Sequence, residues 1–216
     1  MNRRIVFALT GTLLWLVPGT ALAHGALEGL GDFYAGLLHP FVVPSELLAV
    51  VATALLLGRG GRAACRAGTV VLAVGVATGL VLSAALPQPP DATPLLLATA
   101  LAAAGAVTAG LRAPLWLAVG VAAVCGLAVG TDAVPEAGAA AGRLWSAVAT
   151  VIGCVALATV IAGLTLGAHL HWHRVAARVA GSWISACAFL YFAMLLVQHW
   201  ALWTAGGAVG NSGSGG

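Results

Sequence analysis

Six apolar stretches follow one another between Phe33 and Trp203, each near the roughly 20 residues a helix needs to cross a hydrocarbon core of about 30 Å. With no water inside a bilayer, every backbone N–H and C=O must be paired within its own segment, so such stretches are expected as helices. Composition supports this where it counts: 61% apolar and 7% charged residues leave too little polar surface for a soluble globule. The predicted fold class is all-α, a polytopic membrane bundle of six transmembrane helices over Phe33–Leu57, Ala67–Leu86, Pro94–Leu111, Pro114–Gly130, Leu144–Ala168 and Ala176–Trp203. The third and fourth stretches are short, and Pro114 leaves open a single broken hairpin in place of two full spans.

The basic start Arg3-Arg4, the apolar core from Ile5 to Val17 and the small-x-small triplet Ala21-Leu22-Ala23 have the form of a cleavable signal peptide over residues 1–23. Cleavage would leave a transmembrane domain over 24–205 and a flexible Gly/Ser-rich tail over 206–216, with the mature N-terminus outside a bacterial cytoplasmic membrane. Charge is consistent with that orientation. Arg59, Arg62, Arg66, Arg112, Arg174 and Arg178 fall on predicted inner connections and Arg143 alone on an outer one. The acids Glu28, Asp32, Glu46, Asp91, Asp132 and Glu136 all fall in the outer half, as on a face that gathers cations. Tryptophans near the span ends suit an aromatic belt, and Gly75 and Gly79 form a small-xxx-small pair for close helix packing.

Glu46 interrupts the first apolar stretch. An ionisable residue at mid-bilayer costs about 2.5–3.5 kcal/mol on insertion scales, so such a group is expected to face a cavity or a partner. His39 and Asp32 precede it at steps of seven residues, which on a helix return to one face and rise roughly 10 Å each. Asp32, His39 and Glu46 are thus predicted to form a descending ladder of metal ligands. Pro40 and Pro44 predict a break or kink here, freeing main-chain oxygens as well. After cleavage His24 would present an α-amine beside its imidazole, and with Glu28 and Asp32 it could capture a divalent transition metal ion from outside. His169 and His173, spaced i and i+4, could grip an ion at an inner exit, and His199 could join the outer ligands. Cys65, Cys154 and Cys187 show neither disulfide nor metal spacing. No phosphate loop, nucleotide fingerprint or catalytic triad is visible, so neither an enzyme nor a nucleic-acid partner is expected.

Gly36-Leu37-Leu38-His39-Pro40 followed by Leu47-Leu48-Ala49 resembles the first helix of the HupE/UreJ family, with its pattern His-Pro-x-x-Gly-x-Asp-His-Leu-Leu-Ala. Cys125-Gly126-Leu127-Ala128-Val129-Gly130-Thr131-Asp132 is similar to the family's His-Gly-x-Ala-His-Gly-x-Glu. The chain has Ser45 and Glu46 where the family has Asp-His, and Cys125 and Val129 where it has two histidines. The resemblance implies a permease for nickel or cobalt with His39, Glu46, Cys125 and Asp132 as the carried-over ligand set. A ligating thiolate would shift preference toward zinc, copper(I) or cobalt. Transport would be secondary or passive, with the metal ion as cargo and no prosthetic group. The alternative from another class is a non-transporting accessory or scaffold that works with metalloenzyme maturation proteins.

Overall fold

The computed structural model describes residues 31–133, 140–167 and 171–210. The expected signal peptide, His24, Glu28, Glu136, His169 and residues 211–216 lie outside the described residues. The secondary structure of the described residues is helical: α1 (Asp32–Val42), α2 (Pro44–Gly60), α3 (Arg62–Ala85), α4 (Thr93–Thr108), α5 (Leu115–Asp132), α6 (Ala140–Leu166) and α7 (His171–Gly210). The last helix continues through residues 206–210, which the sequence reading gives to a tail.

Among the described residues four segments are long and apolar enough to cross a bilayer: Arg62–Ala85, Leu115–Asp132, Ala140–Leu166 and Trp172–Gln198. The expected first span is two helices, Asp32–Val42 and Pro44–Gly60, bent by 71°. Counted as one broken span they make a fifth. The break has a local cause. A residue before proline is pushed out of the α region by the pyrrolidine ring, and Val43 takes φ −85°, ψ 110°, ahead of Pro44 at the first position of α2. The predicted third span is shorter than expected, 16 residues in α4, or about 24 Å at 1.5 Å per residue. It is still an interior helix, with Leu96, Leu97, Ala100, Ala103, Ala104 and Val107 buried. Residues Ala109 to Pro114 separate α4 from α5, so these are two helices.

The core forms around α2, which packs against every other described helix and buries each residue from Ala52 to Gly58. Large apolar side chains such as Val70, Val74, Val81, Leu164, Phe189 and Leu190 are turned outward, the arrangement a lipid-facing surface requires. The closest pairing is α3 on α5, made by glycines on both sides. A methyl group on Gly75 would come within 3.1 Å of Gly126 Cα, and one on Gly79 within 2.8 Å of Gly130 Cα. Backbones this close replace side-chain interdigitation with direct van der Waals contact, the packing open to helices that hydrophobic force does not drive together.

Charged groups separate along the bundle. Arg178, on the second turn of α7, donates from Nε to the Thr108 carbonyl at the end of α4, 2.9 Å away. Arg59 at the end of α2 and Arg112 after α4 lie close enough for their charges to act on each other and on Arg178. At the opposite ends of these helices, Asp91 accepts the Thr93 N–H at 2.9 Å at the start of α4, and Asp132, closing α5, lies within its electrostatic reach. The described chain is a multi-pass membrane bundle with an arginine end and an acid end.

Candidate functional site

Glu46 occupies the first turn of α2 and His39 the last turn of α1. Pro44 has no N–H, and the Val43 N–H is spent on the His39 carbonyl at 3.1 Å. The break therefore brings a helix C-terminus, negative in its dipole, to a helix N-terminus, positive in its dipole. The imidazole stands at the first and the carboxylate at the second, the favourable placement for each when charged.

The side chains meet: His39 Nδ1 is 3.7 Å from Glu46 Oε2. His39 is 27% exposed and Glu46 is 0% exposed, so the pair leads from the protein surface into its interior. This differs from the predicted ladder. Seven residues on an unbroken helix would hold the two groups about 10 Å apart along the axis, and the turn at Val43 gathers them instead. Asp32 is not part of the pair. Its carboxylate lies over Gly142 of α6, where any side chain would collide with it.

Neither Glu46 oxygen has a hydrogen-bond partner, Ser45 included, although Ser45 is buried beside it in sequence. Around the carboxylate lie groups that sequence reasoning places only in part. Cys125 of α5 and Cys154 of α6 are fully buried and within its electrostatic reach, as is Asp132. Thr53 of α2, seven residues after Glu46, is also fully buried. Its hydroxyl faces Cys125 and has no hydrogen-bond partner of good geometry. Thr99, Thr108, Thr150 and Thr165, by contrast, each donate to the carbonyl four residues back. The Thr53 oxygen is thus left uncommitted. Its spacing from Glu46 was a signal available in the sequence; Cys154 gave none, because only tertiary packing brings α6 here.

Among the described residues no three His, Cys, Asp or Glu side chains form a group that could hold a metal ion. Of the carried-over set, His39 and Glu46 are in contact, while Cys125 and Asp132 stand farther round the same carboxylate. His173 lies near the other end of the molecule, with Nδ1 buried and without a hydrogen-bond partner, its ring against Trp172 at 3.8 Å between centroids. The side chain of His199 lies outside the described residues. All four cysteines are free thiols.

A family model described as HupE / UreJ protein matches residues 12–191. The chain belongs to the HupE/UreJ family. No curated protein and no solved structure matches it. In this HupE/UreJ chain the motif glycines have a visible task, since Gly126 and Gly130 are the α5 half of the contact with Gly75 and Gly79. That contact also sets Cys125 and Val129, the residues at the family's histidine positions, into the buried core.

Proposed function

We propose that this HupE/UreJ protein is a secondary or passive permease that admits a divalent transition metal ion, nickel or cobalt by family and zinc or copper by its thiols, from the outer face of a cytoplasmic membrane. The supporting observation is Glu46: a carboxylate with no exposure and no hydrogen-bond partner, touching a partly exposed imidazole across a helix break. Imidazole and carboxylate together suit first-row divalent ions. In this reading His39 takes the ion at the surface and Glu46 receives it inside, with Thr53 and Asp132 offering oxygens nearby. His24, Glu28 and Asp32 serve as the external collectors, Cys125 as a softer ligand, and His169 with His173 as the exit. A doubly charged ion gains about 2.3 kcal/mol per unit charge per 100 mV on moving inward, so the chain needs no nucleotide-driven step.

The test is Glu46→Gln, which keeps shape and removes charge. Radiolabelled nickel and cobalt, and zinc and copper by elemental analysis, are followed into cells. Loss of a ligand should cost at least the 10–100-fold that loss of its supporting partners costs, so uptake of the cargo metal falls by about tenfold or more. Equal uptake of every metal by both chains overturns the role given to Glu46.

One observation favours a second reading, a non-transporting accessory for metalloenzyme maturation. No three ligands converge among the described residues, and Ser45 and Val129 stand where the family has ligands. A chain that changes no metal's uptake yet copurifies a maturation protein supports that reading.

A further inference from the structure

Toward the arginine end, α6 and α7 part to leave an open groove of about 750 Å³. Its walls are Leu55 of α2, Val160, Ile161 and Leu164 of α6, and Ala177 and Ala180 of α7. An apolar hollow left empty forfeits the dispersion contacts of every atom lining it, and one open to a bilayer fills with hydrocarbon. The mouth has a different chemistry. His173 lines the groove with its Nδ1 buried and unpartnered. Arg178 follows Ala177 of the wall, and Thr165 of the wall packs on Gly58, the residue before Arg59.

Three guanidinium groups from three parts of the chain, none of them in the groove wall itself, gather near one another at this end of the bundle. Arg178 is held by its Nε bond to the Thr108 carbonyl and lies over Gly110; Arg112 follows two residues later; the Nε of Arg59 is buried without a hydrogen-bond partner. Like charges so placed repel, and the described acids stand at the other end or with Glu46, so nothing in the described chain neutralises them. Guanidinium binds phosphate through paired N–H donors, and basic pockets between transmembrane helices take acidic lipid headgroups.

We propose that the groove between α6 and α7 holds an acyl chain of an anionic glycerophospholipid whose phosphate is bound by Arg59, Arg112 and Arg178. The apolar wall selects a lipid over free phosphate, and the arginines select an acidic lipid over a zwitterionic one.

Full-length protein in detergent is mixed with phosphatidylglycerol, with phosphatidylcholine of the same acyl chains, or with inorganic phosphate. Retained lipid is read by native mass spectrometry and the unfolding midpoint by tryptophan fluorescence. Phosphatidylglycerol is expected to stay bound and raise the midpoint, while the other two do neither. Arg59→Gln and Arg112→Gln should each lose most of the retained lipid and of the midpoint rise, while Arg66→Gln, exposed at the same end, keeps both. Ala180→Phe, which fills the groove, should lose retention with all arginines intact. Equal retention of the two lipids, a rise with phosphate alone, or equal losses in Arg66→Gln overturn the proposal. Arg112 is exposed, so its variant carries the test even if Arg59→Gln fails to fold.

Discussion

A buried carboxylate without a hydrogen-bond donor is a poor way to stabilise a bundle, and Glu46 is such a group. Desolvating a charge costs several kcal/mol unless pairing and hydrogen bonds offset it, and at 3.7 Å His39 gives a loose contact at best. Glu46→Gln should therefore leave the unfolding midpoint unchanged or higher while metal uptake falls; a lower midpoint with uptake intact would make Glu46 a structural group. The same reasoning applies to Thr53. Thr53→Val keeps the shape and deletes an orphaned hydroxyl, whose burial costs about 1–3 kcal/mol. Thermal unfolding should shift upward, and uptake should fall severalfold where the oxygen serves as a way-station for the ion. Glu46 and His39 were legible in the sequence because a charged group amid apolar neighbours stands out. Thr53 was harder to see, being one threonine among many, and only coordinates show that it lacks the usual bond to the preceding turn.

Local chemistry explains the elements with less ambiguity. Pro40 and Pro44 announced a disturbed helix, and the restriction on Val43 turned that disturbance into a 71° break. The sequence could not choose between a kink and two helices, because the outcome depends on α6 accepting α1 at close range through Gly36 and Gly153. Pro44→Ala lifts the restriction on Val43 and should let α1 and α2 approach one continuous helix. Spin labels at Tyr34 and Gly60, in a chain with its native cysteines replaced, should then report a longer separation, and uptake should fall as His39 leaves Glu46. An unchanged separation would mean that tertiary packing, not Pro44, holds the bend. The glycine contact is tested more simply. Gly79→Ala puts a methyl group 2.8 Å from Gly130 Cα, closer than side chains approach, and overpacking of this kind costs about 1–3 kcal/mol. The small-xxx-small spacing of Gly75 and Gly79 was visible from the start; that the motif glycines of α5 are its partner was not, since spacing names a sticky face without naming what it meets.

Across the whole molecule, charge and length tell different stories about the membrane. Length gives the described residues four candidate spans and a bent fifth, with α4 short. A helix of about 24 Å can sit inside the bundle without reaching both interfaces, since neighbouring helices shield its ends, and α4 is enclosed by α2 and α7. Charge gives a direction along the bundle, because Arg59, Arg112 and Arg178 share one end while Asp91 and Asp132 share the other. If α3 crosses the bilayer, as its length and apolar composition allow, the α3–α4 connection and the α2–α3 turn lie on opposite sides of the membrane. Gln88 in the α3–α4 connection and Arg62, the first residue of α3 after the turn, are exposed. Gln88→Cys and Arg62→Cys, each in a chain without its native cysteines, should react with a membrane-impermeant maleimide from opposite faces. Positive charge is retained on the cytoplasmic side, so Gln88→Cys should label in spheroplasts and Arg62→Cys in inverted vesicles. Labelling of both from one face would mean that α3 does not span, and the outer collection of cations by the acid end would go with it.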